Sequence, residues 1–381
     1  MRLLEQYSPG KLVLGPECAG GLASEVRGRG VKKVLLITAP VLNDLVVPIV
    51  EAIEVEGVTV TVEDSIVNEP NLGTLAAMLE IAAEHSVDGV IGIGGGSVLD
   101  VAKAVAGLHG CSQKITDVIG DGLLATRSTY LACLPTTSGT GSEVSPNAIF
   151  TDESDNLKKA IISPFIVPDA VFVDPTLTVS VPPHITASSG IDALSHCMEA
   201  FTNKFAHPLI DVYAQKGMQL ISKSLRRAVK DGNDIHARTD LALGSMLGGM
   251  CLGPVNTAAV HALAYPLQGK FKKSHGLSIA VMLPYVMDFN LVANRGKYAL
   301  VAEALGVETT DDISELANKS VVAVRQLTLD CGVPQTLSEI GIPAHAIDEL
   351  TEQAMTVSRL LDNNPREMNA ADARAIFEQA F

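Results

Sequence analysis

Residues 87–108 read VDGVIGIGGGSVLDVAKAVAGL. The first part, VDGVIGIGG (87–95), is an apolar run without polar alternation, as expected of a strand buried on both faces. It runs into Gly94, Gly95, Gly96 and Ser97. VLDVAKAVAGL (98–108) then carries apolar residues at helical spacing. Glycines at such a turn let backbone amides approach a ligand, and the free N–H groups of a helix start suit a diphosphate. A plain tight turn is the competing explanation, but three glycines and a serine at a helix start favour a phosphate cradle. The dinucleotide pattern GxGxxG is not met, because Ser97 stands where the third glycine would be. On these residues alone the cradle is one for phosphate, not specifically for a nicotinamide cofactor.

The same alternation extends outward from this stretch. VKKVLLITA (31–39), VTVTVED (58–64), YLACLPTT (130–137) and AVFVDP (170–175) read as strands, and LGTLAAMLEIAAEH (72–85) as a helix. Strands and helices alternating at this pace predict a parallel sheet with right-handed crossovers. The prolines of VPPHIT (181–186) break the pattern. Beyond them IDALSHCMEAF (191–201), VYAQKGMQLISKSLRRAV (212–229), ARTDLALGSMLGGMCLG (237–253) and TAAVHALAYPL (257–267) all show helical spacing. The sequence therefore predicts two domains, an α/β domain with a Rossmann-like parallel sheet over 1–180 and an all-helical domain over 181–381.

Composition narrows the function classes. The 381 residues are 47% hydrophobic but only 4% aromatic with no Trp, so a large aliphatic core is expected. A net charge of −15, from 28 Lys+Arg against 43 Asp+Glu, disfavours nucleic-acid binding. It leaves room for an anionic cofactor held at a helix N-terminus. The six cysteines are scattered without a CxxC pair, so reduced thiols are expected. The N-terminal MRLLEQYSPG lacks the apolar segment of a signal peptide, and the apolar runs are interrupted before a membrane span is reached. A cytoplasmic protein with no membrane partner is the expectation.

Two further patterns carry chemistry. PTTSGTGSEVSPN (135–147) is rich in small hydroxyl residues and follows a strand, which puts it at the carboxyl edge of the sheet, where ligands bind in open α/β folds. Asp192 and His196 are four apart and share a helix face, interrupting an apolar stripe. His261 lies in an apolar helix and His275 follows at a glycine-containing break. One carboxylate and three imidazoles suit Fe2+, Zn2+ or Mn2+. The residues alone leave the ordinary alternative open, since most histidines on helices are core or surface residues. His85, His109, His207, His236 and His345 are read that way. Metal ligands in one half and a phosphate loop in the other suggest a cleft between domains.

With these motifs in hand, the chain resembles the iron-containing (group III) alcohol dehydrogenases nearly end to end. The resemblance rests on PTTSGTGSEVSPNAIFTD (135–152), VNTAAVHALAYPLQGKFKKSHG (255–276), GGGSVLDVAKAVA (94–106), PDAVFVDP (168–175), PPHITASSGIDALSHCMEAF (182–201) and NNPR (363–366), all in order. It implies a dehydroquinate synthase-like two-domain fold. It implies Asp192, His196, His261 and His275 as metal ligands, for Fe2+ with Zn2+ as the alternative. Gly94, Gly95, Gly96 and Ser97 would meet the diphosphate of NAD or NADP, with Asp100 on the nicotinamide side. Thr136, Thr137, Thr140, Lys158 and Ile185 would line the cofactor, and Asn147 would lie near the substrate. The implied activity is hydride transfer between nicotinamide and a small primary alcohol or aldehyde whose oxygen the metal polarises. A homodimer is also implied.

Three departures from the family pattern stand out. The first strand ends Ile37-Thr38-Ala39, where many members have an aspartate that repels a 2′-phosphate, so NADPH should be tolerated and even preferred. Tyr265 stands four residues after His261, where a second histidine is common as a proton relay, and the relay is expected either through the Tyr265 hydroxyl or through water and ribose. Lys270, Lys272 and Lys273 crowd the approach to His275. They read either as a solvated basic loop, which is favoured, or as a rim for an acidic aldehyde. The rival functions are a three-ligand sister enzyme such as a zinc glycerol dehydrogenase, a metallohydrolase, and a non-catalytic binding protein.

Overall fold

The computed structural model describes residues 2–154 and 157–381. They form two compact units: one of Gln6–Thr137 and Gly141–Ser180, the other of Val181–Phe381 with Ser138–Thr140 and the first residues up to Glu5. The first unit carries β1 (Lys11–Leu14), β2 (Lys33–Ile37), β3 (Thr59–Glu63), β4 (Gly89–Gly94), β5 (Gly120–Asp121), β6 (Tyr130–Pro135), β7 (Asn147–Asp152), β8 (Leu157–Ile162) and β9 (Ala170–Val173). Its helices are α1 (Leu22–Gly28), α2 (Asn43–Val55), α3 (Leu72–His85) and α4 (Gly96–Leu108).

Six strands make a parallel sheet in the order β1-β9-β6-β4-β2-β3. The central strands are apolar throughout because helices cover both faces: Val34 to Ile37, Val90, Ile91 and Ile93 are fully buried. From β2 the chain first moves outward to β3, then returns to the other side of β2 for β4, β6 and β9. Such a reversal leaves a crevice at the carboxyl ends of the strands that flank it, the usual ligand position in open sheets. Here those ends are Ile37-Thr38-Ala39 and Gly94-Gly95-Gly96.

The α/β character expected from the sequence is present, with one addition. A second sheet, β5-β8-β7, pairs β7 with β8 antiparallel and β8 with β5 parallel. The sequence pattern marks residues 135–152 only as a hydroxyl-rich loop and its flanks. NAIFTD and LKKAII mix polar and apolar residues and are only partly buried, so neither periodicity nor a continuous apolar run signals them.

The helical unit contains α5 (Pro183–Thr202), α6 (Pro208–Lys230), α7 (Ile235–Leu252), α8 (Ala259–Phe271), α9 (His275–Asn290), α10 (Arg295–Ala304), α11 (Ile313–Asp330), α12 (Ile347–Met355), α13 (Ser358–Leu361) and α14 (Ala370–Gln379). α5 is its axis, buried continuously from Gly190 to Thr202. Close approach around it depends on missing side chains: a Cβ on Gly217 of α6 would come within 2.5 Å of Cys197 Sγ. His275–Ala293 is long and apolar enough to cross a membrane, against the expectation that every apolar run is too short, but it is 67% buried within this unit. Its apolarity is that of a core helix.

The boundary expected at residue 180 needs a qualification. Ser138–Thr140 and the first residues belong with the helices, although both lie within 1–180. Gly139 explains the first exception, because a Cβ there would lie 2.8 Å from the Ser189 Cβ of α5. Arg2 explains the second, donating from Nε to Phe205 O at 3.2 Å and from Nη2 to Pro254 O at 2.6 Å.

Candidate active site

Three helices bring four side chains to one point. Asp192 and His196 stand one turn apart on α5, His261 lies in the first turn of α8, and His275 is the first residue of α9. The Nε2 atoms of His196, His261 and His275 lie 3.5, 3.6 and 3.5 Å from the same atom, Asp192 Oδ1. His196 Nε2 and His261 Nε2 are 3.1 Å apart, and all four ligand atoms fall within 4.8 Å of one another. Asp192, His196 and His261 are buried, while His275 is half-buried.

Buried polar atoms normally find a partner, yet Asp192 Oδ1 has none among the described residues. A tetrahedral ion with ligand bonds of about 2.0–2.1 Å would space its ligands roughly 3.3 Å apart, close to the separations found. The charge state points the same way. Burial pushes the His196 imidazole down to about 4, leaving a neutral ring with a free lone pair. Burial would raise the Asp192 carboxyl, but its interactions with the surrounding His196, His275 and His261 imidazoles hold it well below the usual carboxylate range. Burial would also lower His261, yet the Glu199 carboxylate and Asp192 carry it up to about 9. Two buried carboxylates thus flank His261, and a divalent ion among the ligand atoms would balance their charge in place of a protonated imidazole. The residues fit a metal.

The α/β unit offers a second site. α4 starts at Gly96 with Gly95 as its N-cap, and no side chain caps it. The first amides of a 13-residue helix are therefore open to an anion. The turn is tight: a Cβ on Gly94 would lie 2.6 Å from Val98 Cβ, and one on Gly95 would lie 3.4 Å from Thr137 Oγ1. Gly94, Gly95, Gly96, Ser97, Thr136 and Thr137 are gathered here, with the Thr136 N–H donating to Gly94 O at 3.0 Å. The cradle fits a diphosphate. Ala39 follows β2 at the neighbouring strand end.

Other expected residues are placed as follows. Asp100 has both oxygens engaged, Oδ1 by Ser142 Oγ at 2.5 Å and Oδ2 by the Ile149 N–H at 2.9 Å. It ties α4 to the hydroxyl-rich loop. Asn147 opens β7, and its buried Oδ1 has no partner among the described residues. Lys158 on β8 forms a close ion pair with Glu69. Thr140 and Ile185 belong to the helical unit, Ile185 being 40% exposed in the first turn of α5. Tyr265 lies one turn after His261 on α8, partly buried against the helical core. Of the three lysines, Lys270 forms a close ion pair with Glu349 of α12, which favours the solvated-loop reading over an anion rim.

Three residues at these sites are not signalled by the motifs. Glu199, seven residues after Asp192 on α5, places Oε2 2.5 Å from His261 Nδ1. Gln268, seven after His261 on α8, places Oε1 3.1 Å from His275 Nδ1. Lys103 is fully buried and donates to Ser142 O at 2.8 Å and to Asn147 O at 2.5 Å. Each is a polar residue at helical spacing from one already singled out, and that spacing is the one available signal.

Comparison with known proteins adds independent findings. Residues 9–175 match the family described as iron-containing alcohol dehydrogenase, and residues 186–381 match its C-terminal counterpart. The long-chain-alcohol dehydrogenase 1 of Geobacillus thermodenitrificans is 40% identical, covering 94% of this chain and 92% of its own. The crystal structure of a 1,3-propanediol oxidoreductase superposes with a TM-score of 0.97 at 30% identity over all of both chains. A sulfoacetaldehyde reductase from Bifidobacterium kashiwanohense, solved with NAD+, gives a TM-score of 0.89 at 27% identity, covering 100% of this chain and 99% of its own.

Proposed function

The chain belongs to the iron-containing alcohol dehydrogenase family, and within it we propose an NAD(H)-linked enzyme for uncharged primary alcohols and their aldehydes. The reaction class, hydride exchange between a nicotinamide and an alcohol or aldehyde, is that of the family. The observation that carries the reading is the convergence of four ligand atoms within 4.8 Å. It argues against a sister enzyme with three protein ligands, because His275 completes a fourth.

Bound together, the metal would supply Lewis-acid polarisation of the substrate oxygen, and the nicotinamide would carry the hydride. Asp192, His196, His261 and His275 would hold the metal. The amides of Gly96 and Ser97, with Thr137 beside them, would bind the diphosphate. Asp100 and Lys103 would hold the loop bearing Ser142 and Asn147 in place. Tyr265 would hold or pass the alcohol proton through its hydroxyl.

The cofactor preference rests on charge at the strand ends. Ala39 on its own would tolerate a 2′-phosphate. Asp64, however, follows β3 beside that strand end and accepts from Asn43 Nδ2 at 2.7 Å. A carboxylate there favours a ribose hydroxyl over a phosphate. The uncharged substrate rests on the pairing of Lys270 with Glu349. A homodimer in the cytoplasm rests on the family resemblance and is part of this proposal.

The test is steady-state kinetics of Fe2+- and Zn2+-loaded enzyme with NADH and NADPH across aliphatic aldehydes, with and without an acidic group. NADH should exceed NADPH by about tenfold or more in specificity constant, and Asp64→Ala should narrow the gap. A higher specificity constant for a carboxylated or sulfonated aldehyde than for its uncharged counterpart would overturn the substrate assignment.

A further inference from the structure

Behind the four converging ligand atoms stands a carboxylate that is not one of them. Glu199 is three residues beyond His196 and seven beyond Asp192, so it lies on the same side of α5. It is 5% exposed, and among the described residues no lysine or arginine pairs with it. A buried carboxylate is costly unless its oxygens are fully engaged. Both are. Oε1 accepts from the Val260 N–H at 2.7 Å, and Oε2 meets His261 Nδ1 at 2.5 Å.

These two contacts act on one helix end. α8 begins at Ala259, and its N-cap, Ala258, offers no capping side chain. Glu199 supplies the missing acceptor from another helix, fixing the first turn of α8 that carries His261. The second contact fixes the ring. A carboxylate can only accept, so Nδ1 of His261 carries a proton, and with a metal in the site it is Nε2 that would give up its own proton and offer its lone pair to the ion. Nε2 indeed lies there, 3.1 Å from His196 Nε2 and 3.6 Å from Asp192 Oδ1. The other backed imidazole is treated differently: His275 meets the neutral amide of Gln268 at 3.1 Å.

Glu199 has little freedom to do anything else. Thr202, Asn290, Tyr298 and Asn364 line the small cavity beside it. Asn290 and Asn364 close that side by exchanging two amide hydrogen bonds, at 2.8 and 2.7 Å.

We propose that Glu199 is a positioning residue for the metal: it holds His261 in the Nδ1–H tautomer with Nε2 aimed into the site, and so sets how tightly the ion is bound without touching it. The inference rests on the metal-site reading above. Its substance is that the charged acceptor behind His261 matters for affinity, beyond the cap it provides to α8.

Glu199→Gln separates the two roles. The amide keeps the size and one acceptor, which can serve Val260 N–H or His261 Nδ1–H but not both with equal charge. Zn2+ affinity of the full-length protein, measured by competition with a chromophoric chelator, should fall about 10–100-fold. The visible spectrum of the Co2+-loaded variant should shift, and NADH binding should be unchanged. Glu199→Asp keeps the charge but is one methylene too short for both contacts. It should also lose affinity, and it serves as the readout if the Gln variant does not fold. One Zn2+ bound by both variants as tightly as by wild type would overturn this inference alone. A wild-type protein that takes up no Zn2+ would overturn the metal-site reading, and the inference with it.

Discussion

Glu143 and Lys103 show how single buried charges are held in the α/β unit. Lys103 directs its ammonium at the carbonyls of Ser142 and Asn147 and lies 3.9 Å from Asp100. Glu143, 3% exposed on the same loop, is pushed up from 4.5 to about 7 by burial, against the pull of Lys103. A carboxyl whose folded pKa is raised favours folding fully below its unfolded value and loses that contribution as pH rises through the folded value. The window is therefore about pH 4.5 to 7, and above it the buried carboxylate destabilises the fold. Glu143→Gln should be more stable than wild type at pH 8, by up to about 3 kcal/mol, since each tenfold change in acidity constant is worth about 1.4 kcal/mol. The gain should shrink toward pH 5. Urea midpoints at the two pH values check it, and a gain that does not depend on pH would count against burial of an ionisable carboxyl there.

At the scale of elements, the site depends on how closely α9 approaches α5. Gly276 follows His275 at the start of α9, and a Cβ on it would lie 2.9 Å from the carbonyl carbon and oxygen of Ser188. Backbone atoms cannot step aside as a flexible side chain can. Gly276→Ala should displace the first turn of α9 and with it His275. Metal affinity and kcat/KM should each fall by about tenfold or more, with a stability loss of about 1–3 kcal/mol. Gly296→Ala in α10 is the control, since nothing lies within 4 Å of its Cβ. That variant should be neutral or gain up to about 1 kcal/mol. Chelator competition and thermal unfolding of both variants check the contrast. This dependence on packing also marks what a sequence can reveal. β2 and β4 are legible because burial on both faces makes them continuously apolar, and Asp192 and His196 because they interrupt an apolar helix. β7 and β8 are not, being half-buried and irregular in pattern. Glu199 and Gln268 interrupt apolar helices just as visibly. Their roles, however, depend on partners on another helix or across a helix break, which spacing within one helix does not specify. Gly276 reads as a break in the chain, whereas its role is to let two backbones meet.

At the scale of the whole molecule, the four residues proposed to hold the metal, Asp192, His196, His261 and His275, all come from the helical unit, and the open amides of α4 come from the α/β unit. Each ligand should therefore stabilise the unit that binds it. For the metal the effect is calculable by mass action: an ion at 100 times its Kd adds about 2.7 kcal/mol to unfolding, provided the unfolded chain does not bind it. The helical unit is about the size for which 1 kcal/mol shifts Tm by roughly 2–4 °C, so chelator-stripped protein given Zn2+ should gain roughly 5–10 °C. The chain has no Trp, so calorimetry or far-UV circular dichroism is the suitable probe rather than intrinsic fluorescence. If the units unfold separately, Zn2+ should move the helical transition and NADH the other. If they unfold together, one transition should respond to both. His261→Ala should abolish the Zn2+ shift and leave the NADH shift intact, because His261 takes no part in the α4 turn. A Zn2+ shift that survived His261→Ala would mean that the ion binds elsewhere on this acidic chain, whose net charge of −15 offers many weak carboxylate sites.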